Sequence, residues 1–147
     1  MIRRAIADDY GRIASAVSDW WGLDVLPGLP RLFLTHFHGT SLVAESDTSM
    51  IGFLVGFLSP SNPGEAYIHY VAVDPSHRGG LARRLYDEFI GHAAREGCTV
   101  VRAITSPANE QSFAFHRSAG FDVSETIRDY NGPGRNMVTF TRILSTQ

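Results

Sequence analysis

The part of the sequence that most constrains the fold is a strand, a glycine-opened helix and a second strand in direct succession. Ala66-Tyr67-Ile68-His69-Tyr70-Val71-Ala72-Val73 is rich in β-formers and apolar almost throughout, which predicts a strand buried on both faces. Pro75-Ser76-His77 breaks it. From about Gly79 to Glu96, Leu81, Ala82, Leu85, Tyr86, Phe89, Ile90 and Ala93 recur at helical spacing, while Arg83, Arg84, Asp87, Glu88 and Arg95 lie mostly elsewhere. That is the pattern of an amphipathic helix. Gly97 stops it, and Cys98–Thr105 is again near-continuously apolar. A crossover of this kind predicts that strands 66–73 and 98–105 are parallel.

Around this unit the chain reads as further short elements. Ile2–Ala7 is a strand. Asp8-Asp9 caps a helix whose apolar positions Tyr10, Ile13, Ala14, Val17 and Trp20/Trp21 end at Gly22. Leu23–Leu29 reads as a loop and Pro30–Phe37 as a short helix with Pro in its first turn. Ser41–Glu45 and Met50–Leu58 flank the turn Asp47-Thr48-Ser49 as a hairpin. Asn109–Ser118 is a helix stopped by Gly120, and Phe121–Ile127 and Met137–Ile143 are strands joined by a loop containing Asp129-Tyr130-Asn131-Gly132-Pro133-Gly134. The predicted order is β-α-α-β-β-β-α-β-α-β-β, an α/β chain with a mixed sheet. Residues 1–147 form one expected domain, without repeat or linker.

Composition excludes several chemistries. The 147 residues carry thirteen basic and fifteen acidic side chains, net charge -2, so bulk attraction to nucleic acid or an anionic membrane is not expected. Every basic residue is Arg and none is Lys, which removes Schiff-base chemistry and the lysine-bearing phosphate loop. The lone Cys98 allows no internal disulfide and no cysteine-built zinc site. No run approaches the ~18 apolar residues of a membrane span, and the N-terminus turns acidic at Asp8-Asp9, where a signal peptide needs apolar residues. The expected location is the cytoplasm. His36-x-His38 has no accompanying carboxylate or Cys pattern, so no metal site is expected. Ser112 and Ser118 lack a G-x-S-x-G context.

The charge is uneven. Residues 1–75 hold eight acids and four Arg, net -4, and residues 76–147 hold seven acids and nine Arg, net +2. Within the second half, Val73-Asp74-Pro75-Ser76-His77-Arg78-Gly79-Gly80-Leu81-Ala82-Arg83-Arg84 ends a strand and opens a helix with two glycines. The free N–H groups of a helix start share one direction and carry about half a positive charge. Arg so early in a helix opposes that dipole, which points to an anionic ligand. An ordinary glycine-rich turn with solvated arginines is the other reading. The segment fits neither the ATPase nor the dinucleotide glycine pattern.

The element order, the turn Val73, Pro75, Arg78, Gly79, Gly80, and the later Asn109, His116 and Gly120-Phe121 together resemble the GNAT superfamily of acetyl-CoA-dependent N-acetyltransferases over nearly the whole chain. The turn fits the family's spacing when counted from His77 and is one residue short when counted from Arg78. The resemblance implies a GNAT-like fold: a central, mostly antiparallel sheet with a parallel pair splayed around the crossover. It also implies that acetyl-CoA is bound by the backbone of Val71, Ala72 and Val73, by Arg78, Gly79, Gly80, Leu81, Ala82 and Arg83 at the pyrophosphate, and by Asn109, Ser112 and Phe115 on the following helix. The implied reaction is direct transfer of an acetyl group to a primary amine of a small molecule, without a metal.

An alkyl ammonium is almost wholly protonated near pH 7, so a base or a water relay must take its proton. His69 stands mid-strand where the family often places Glu, and Glu65 is a second candidate. A packed core His and a solvated Glu are the plain alternatives. A backbone N–H near Val71 is the implied oxyanion donor. His116 stands where many members carry a Tyr that protonates the departing sulfur, and Tyr130 is an alternative acid or a substrate contact. Trp21, Asp24 and Tyr130 fall in segments that flank the family's acceptor pocket. Members often dimerise through their late strands, so a homodimer is one expected partner. A module of the same fold that binds acyl-CoA as a sensor, without turnover, is the alternative function.

Overall fold

A computed structural model describes residues 1–77 and 79–144, with backbone alone at Leu23 and Asp24. The elements are β1 (Ile2–Arg4), α1 (Tyr10–Trp21), α2 (Leu32–Phe37), β2 (Leu42–Glu45), β3 (Met50–Leu58), β4 (Glu65–Val73), α3 (Leu81–Arg95), β5 (Val100–Thr105), α4 (Glu110–Ser118), β6 (Asp122–Val123) and β7 (Val138–Ile143). The order matches the one read from the sequence. The seven strands hydrogen-bond in the order β1-β2-β3-β4-β5-β7-β6. β4 and β5 are parallel, while β1 with β2, β2 with β3, β5 with β7 and β6 with β7 run antiparallel.

The chain forms two compact units, Met1–Phe57 with Ile68–His92, and Leu58–Tyr67 with Ala93–Gln147. In the first, Ile13 and Val17 of α1, Leu29, Leu34 of α2, Val43 of β2, Phe53 and Val55 of β3 and Ala72 of β4 share one apolar core. α3 comes close to β3 at Gly52: a Cβ there would stand 3.2 Å from both the Ala72 carbonyl oxygen and Leu81 Cδ2. The entry to α1 is polar. Asp9, 1% exposed, accepts hydrogen bonds from Arg3 (2.9 and 3.0 Å), the Ile6 amide (2.8 Å) and Arg12. Burial pushes this carboxyl up, but the bonds from Arg3, Ile6 and Arg12 outweigh it and hold the group well below the usual carboxylate range.

In the second unit the parallel ladder pairs Glu65, Ala66 and Tyr67 with Val100, Val101 and Arg102. β5 pairs with β7 along its length, from Val100↔Ile143 to Thr105↔Val138. Val101, Ala103, Ala119, Phe121, Val138 and Phe140 are buried here.

Several expectations change in the structure. β4 is not buried on both faces: Ala66, Ile68 and Ala72 are buried, whereas Tyr67, His69, Val71 and Val73 are half-buried. The loop predicted at Leu23–Leu29 is a 3₁₀ turn over Leu23–Gly28 containing Pro27. The predicted strand Phe121–Ile127 contracts to β6 and a single bridge, Ile127↔Met137. The predicted strand Ile2–Ala7 contracts to β1, Ile2–Arg4, and gives way to a 3₁₀ turn over Ala7–Asp9. Among the described residues, no helix is long and apolar enough to cross a membrane.

Candidate active site

The turn into α3 is built by Asp74. Its amide donates to Ile51 O at 2.8 Å, and its Oδ1 accepts from the Ser76 amide and hydroxyl, both at 2.9 Å. The bond from the Ser76 amide is the main reason its carboxyl lies below its ordinary range. His77 N closes the turn on Asp74 O at 2.8 Å. Gly79 and Gly80 then take φ of +123° and +88°, where a side chain is strained. A Cβ at either would meet nothing within 4 Å, so the glycines answer to backbone conformation and to open space above it. Arg84 N donates to Gly80 O at 3.0 Å, and no acid stands in the first turn of α3. A positive helix end without an acid beside glycines with free space suits a phosphate group. Leu81 is buried and Ala82 half-buried. Arg83 is exposed, with Nε 3.2 Å from Asp87 Oδ1 one turn along the helix. Arg78 lies outside the described residues.

On β4 of the same unit, His69 is half-buried and Nε2 lies 2.6 Å from the carbonyl oxygen of Gly28. Its ring stacks on Phe33 of α2, centroids 4.0 Å apart and planes 6° from parallel. A carbonyl only accepts, so Nε2 is the protonated nitrogen and Nδ1 carries the lone pair of the neutral ring. The Gly28 carbonyl and the Phe33 ring were not legible in the sequence. Both come from the connection after α1, and no local pattern says where that connection returns to β4. Trp21, at the end of α1, is 56% exposed, and the Asp24 side chain lies outside the described residues. His36 lies in the last turn of α2 and His38 begins the next 3₁₀ turn.

The remaining sequence candidates lie in the second unit. Glu65 Oε1 accepts from Arg102 Nε at 2.7 Å, and Arg102 also donates to Thr141 at 3.0 Å, so Glu65 is an ion-pair partner. Tyr130 is 48% exposed. Burial first, and Tyr130 second, push the Tyr67 phenol up to about 12. Asn109 is the N-cap of α4: its Oδ1 accepts from Ser112 N at 3.4 Å and its Nδ2 donates to Thr105 Oγ1 at 3.2 Å. His116 is 5% exposed. It stacks on Phe140 at 3.7 Å with Phe115 and Phe121 edge-on, and Nδ1 lies 2.8 Å from the Ser112 carbonyl oxygen and 3.2 Å from Ser112 Oγ. The carbonyl fixes the proton on Nδ1. Burial lowers the pKa of this imidazole, and the bond to Ser112 offsets part of that effect.

The structure is an α/β fold, a mixed sheet in which the parallel strands β4 and β5 are joined by a helix that opens on two glycines. The sequence model of the Acetyltransferase (GNAT) family matches residues 10–121, and the chain belongs to that family. It is 36% identical over 84 residues to the L-2,4-diaminobutyric acid acetyltransferase of Nocardia farcinica, covering 56% of this chain and 44% of that protein. The chain spans about half the length of the curated relatives it matches first. The diaminobutyrate acetyltransferase of Paenibacillus lautus, solved with L-2,4-diaminobutyric acid and coenzyme A, superposes with a TM-score of 0.74 at 20% identity, covering 100% of this chain and 97% of that one. The ribosomal-protein-S18-alanine N-acetyltransferase of Escherichia coli gives 0.74 at 18% identity, with 100% and 95% covered.

Proposed function

We propose that the chain moves an acetyl group from acetyl-CoA to a primary amine of a small molecule, and that the acceptor is a diamino acid of the L-2,4-diaminobutyrate kind. The observation that carries the reading is the pairing, within one compact unit, of an open glycine turn at the start of α3 with an imidazole held on β4. The diaminobutyrate acetyltransferases among its relatives supply the acceptor class. Acetyl-CoA brings an activated acyl group as a thioester. The Gly79-Gly80 turn and the first backbone N–H groups of α3, at Leu81 and Ala82, take its diphosphate, with Arg78 and Arg83 assigned to the same group by the family resemblance. Backbone groups of Val71, Ala72 and Val73 take the pantetheine arm, with Asn109, Ser112 and Phe115 assigned to the same cofactor by the family resemblance.

His69 accepts the ammonium proton at Nδ1, which leaves a neutral amine able to attack the thioester carbonyl. The N–H near Val71 faces the negative charge that develops on the carbonyl oxygen. Glu65 is engaged by Arg102, which favours His69 as the base. Of the two proton sources for the departing sulfur, Tyr130 is favoured, because burial keeps His116 neutral and its Nδ1 proton is committed to Ser112. Trp21, Asp24 and Tyr130 are assigned to the acceptor. A cytoplasmic setting and a homodimer through the late strands belong to the same reading.

The test is thiol release from acetyl-CoA across a panel of diamino acids, polyamines and short peptides. The expected result is turnover with a diamino acid and little with peptides. Retention of acetyl-CoA without turnover on any amine overturns the reading in favour of a binding module.

A further inference from the structure

The nitrogen of His69 that takes a proton is set by where the other nitrogen is held, and the hold comes from the connection between α1 and α2. Nε2 lies 2.6 Å from Gly28 O. Gly28 ends the 3₁₀ turn Leu23–Gly28, which contains Pro27. The next residue, Leu29, is 0% exposed in the core of the unit. Leu29 N donates to Leu26 O at 2.9 Å, and Leu29 O accepts from Tyr10 Oη at 2.9 Å. The Gly28 carbonyl is therefore fixed on both sides of its own peptide, by a closed turn before it and a buried, hydrogen-bonded residue after it. Phe33, whose ring lies 4.0 Å from the imidazole, precedes Leu34, which is also 0% exposed. One short anchored segment thus supplies both the acceptor for Nε2–H and the ledge under the ring.

We propose that the Gly28 carbonyl and the Phe33 ring are positioning groups that select the Nε2–H tautomer of His69 and so make Nδ1 the proton acceptor. A neutral imidazole has one donor and one acceptor nitrogen, and a hydrogen bond from one decides the role of the other. The stack adds the second constraint, the plane of the ring. The inference rests on the reading of His69 as the base, but the tautomer can be measured without any turnover.

The experiment is long-range ¹⁵N–¹H NMR of the whole chain, labelled at histidine, at alkaline pH where the neutral rings are observed. His69 is expected to show the Nε2–H pattern, with a non-protonated Nδ1. An Nδ1–H pattern, or the mixture shown by free histidine, overturns the proposal. Pro27→Gly, which loosens the turn that carries the Gly28 carbonyl, should move His69 toward that mixture, and an unmoved pattern removes the turn from the device. Phe33→Leu should lower kcat ~10-fold or more through misalignment while KM for acetyl-CoA stays within about twofold, and an unchanged kcat removes Phe33. His69→Gln keeps a donor at the Nε2 position and has no base. It should match the thermal stability of the parent chain more closely than His69→Asn, and Asn as stable as Gln counts against the Gly28 bond. If no amine is acetylated but His69 shows the Nε2–H pattern, the positioning stands and the acetyl-transfer reading falls.

Discussion

His116 and Phe140 lie face to face, ring centroids 3.7 Å apart and planes 6° from parallel. This stack has a pH consequence. The folded chain favours the neutral imidazole because the ring is buried, whereas the unfolded chain binds a proton near the ordinary value of 6.5. The folded pKa is depressed, so this contribution to stability is present above about pH 6.5 and is lost as pH falls below it. Denaturant midpoints should therefore decline from pH ~7 toward ~5. His116→Phe, which keeps an aromatic ring on Phe140, should flatten that decline, and an equally steep decline in the variant shows that another group causes it.

Asp9 acts further down the pH scale. Its carboxyl is held below the ordinary value by Arg3, the Ile6 amide and Arg12, so its stabilisation is complete above pH ~5 and fades as pH drops through ~4 and below. Arg3 and Arg12 are 29% and 51% exposed, so solvent weakens the pairing. Asp9→Asn should cost roughly 2 kcal/mol near neutral pH and much less near pH 2. Equal losses at both values refute the assignment.

Gly52 sets the distance between β3 and the start of α3. Gly52→Ala places a methyl group 3.2 Å from a backbone carbonyl and from Leu81, and the backbone oxygen cannot swing aside as a side chain does. The expected loss is roughly 1–3 kcal/mol by chemical denaturation. Leu81 follows the glycine turn directly, so KM for acetyl-CoA should rise as well. A variant with the parent's stability shows that β3 and α3 can part without cost.

Gly80→Ala tests the phosphate cradle without filling it. A Cβ there meets nothing within 4 Å, so the strain comes from φ of +88°, roughly 1–3 kcal/mol for a side chain in that region. KM for acetyl-CoA should rise about tenfold while KM for the amine holds. Equal rises in both constants mean that this turn does not hold the acyl donor.

His69→Ala should lower kcat by ~10²-fold or more, in the range of a general base. A pH–rate profile unchanged in shape removes His69 from the proton path. Glu65→Gln, which weakens the pair with Arg102, should leave the shape of that profile intact.

The crossover from β4 through α3 to β5 was legible because each of its signals is local: β-formers, a proline break, two glycines, then a helical stripe. The alternation on β4 was not, because Tyr67, His69, Val71 and Val73 are all compatible with burial, and only the packing shows that this face is partly open. His69 stood out as the one imidazole within an otherwise apolar run. The groups that hold it, Gly28 and Phe33, lie 41 and 36 residues earlier, a separation that no periodicity spans. Asn109 was legible as the first residue of a helix, and the structure places it one position earlier, as the N-cap whose side chain accepts from Ser112 N. His116 stood out in the sequence as a candidate for the departing sulfur and not as a buried side chain. Its burial depends on β7, which folds against β5 from some 20 residues further along the chain.

Neither compact unit is a continuous stretch of chain, and β4 begins in one and finishes in the other. On the ribosome, residues 1–57 wait for 68–92 before their core can close. The half-strand Glu65–Tyr67 finds its partner in β5 soon afterwards, but β5 keeps one open edge until β7 has emerged. A stalled or shortened nascent chain ending before Val138 would leave the β7-facing edge of the largely apolar strand Val100–Thr105 open, a template for association with other chains.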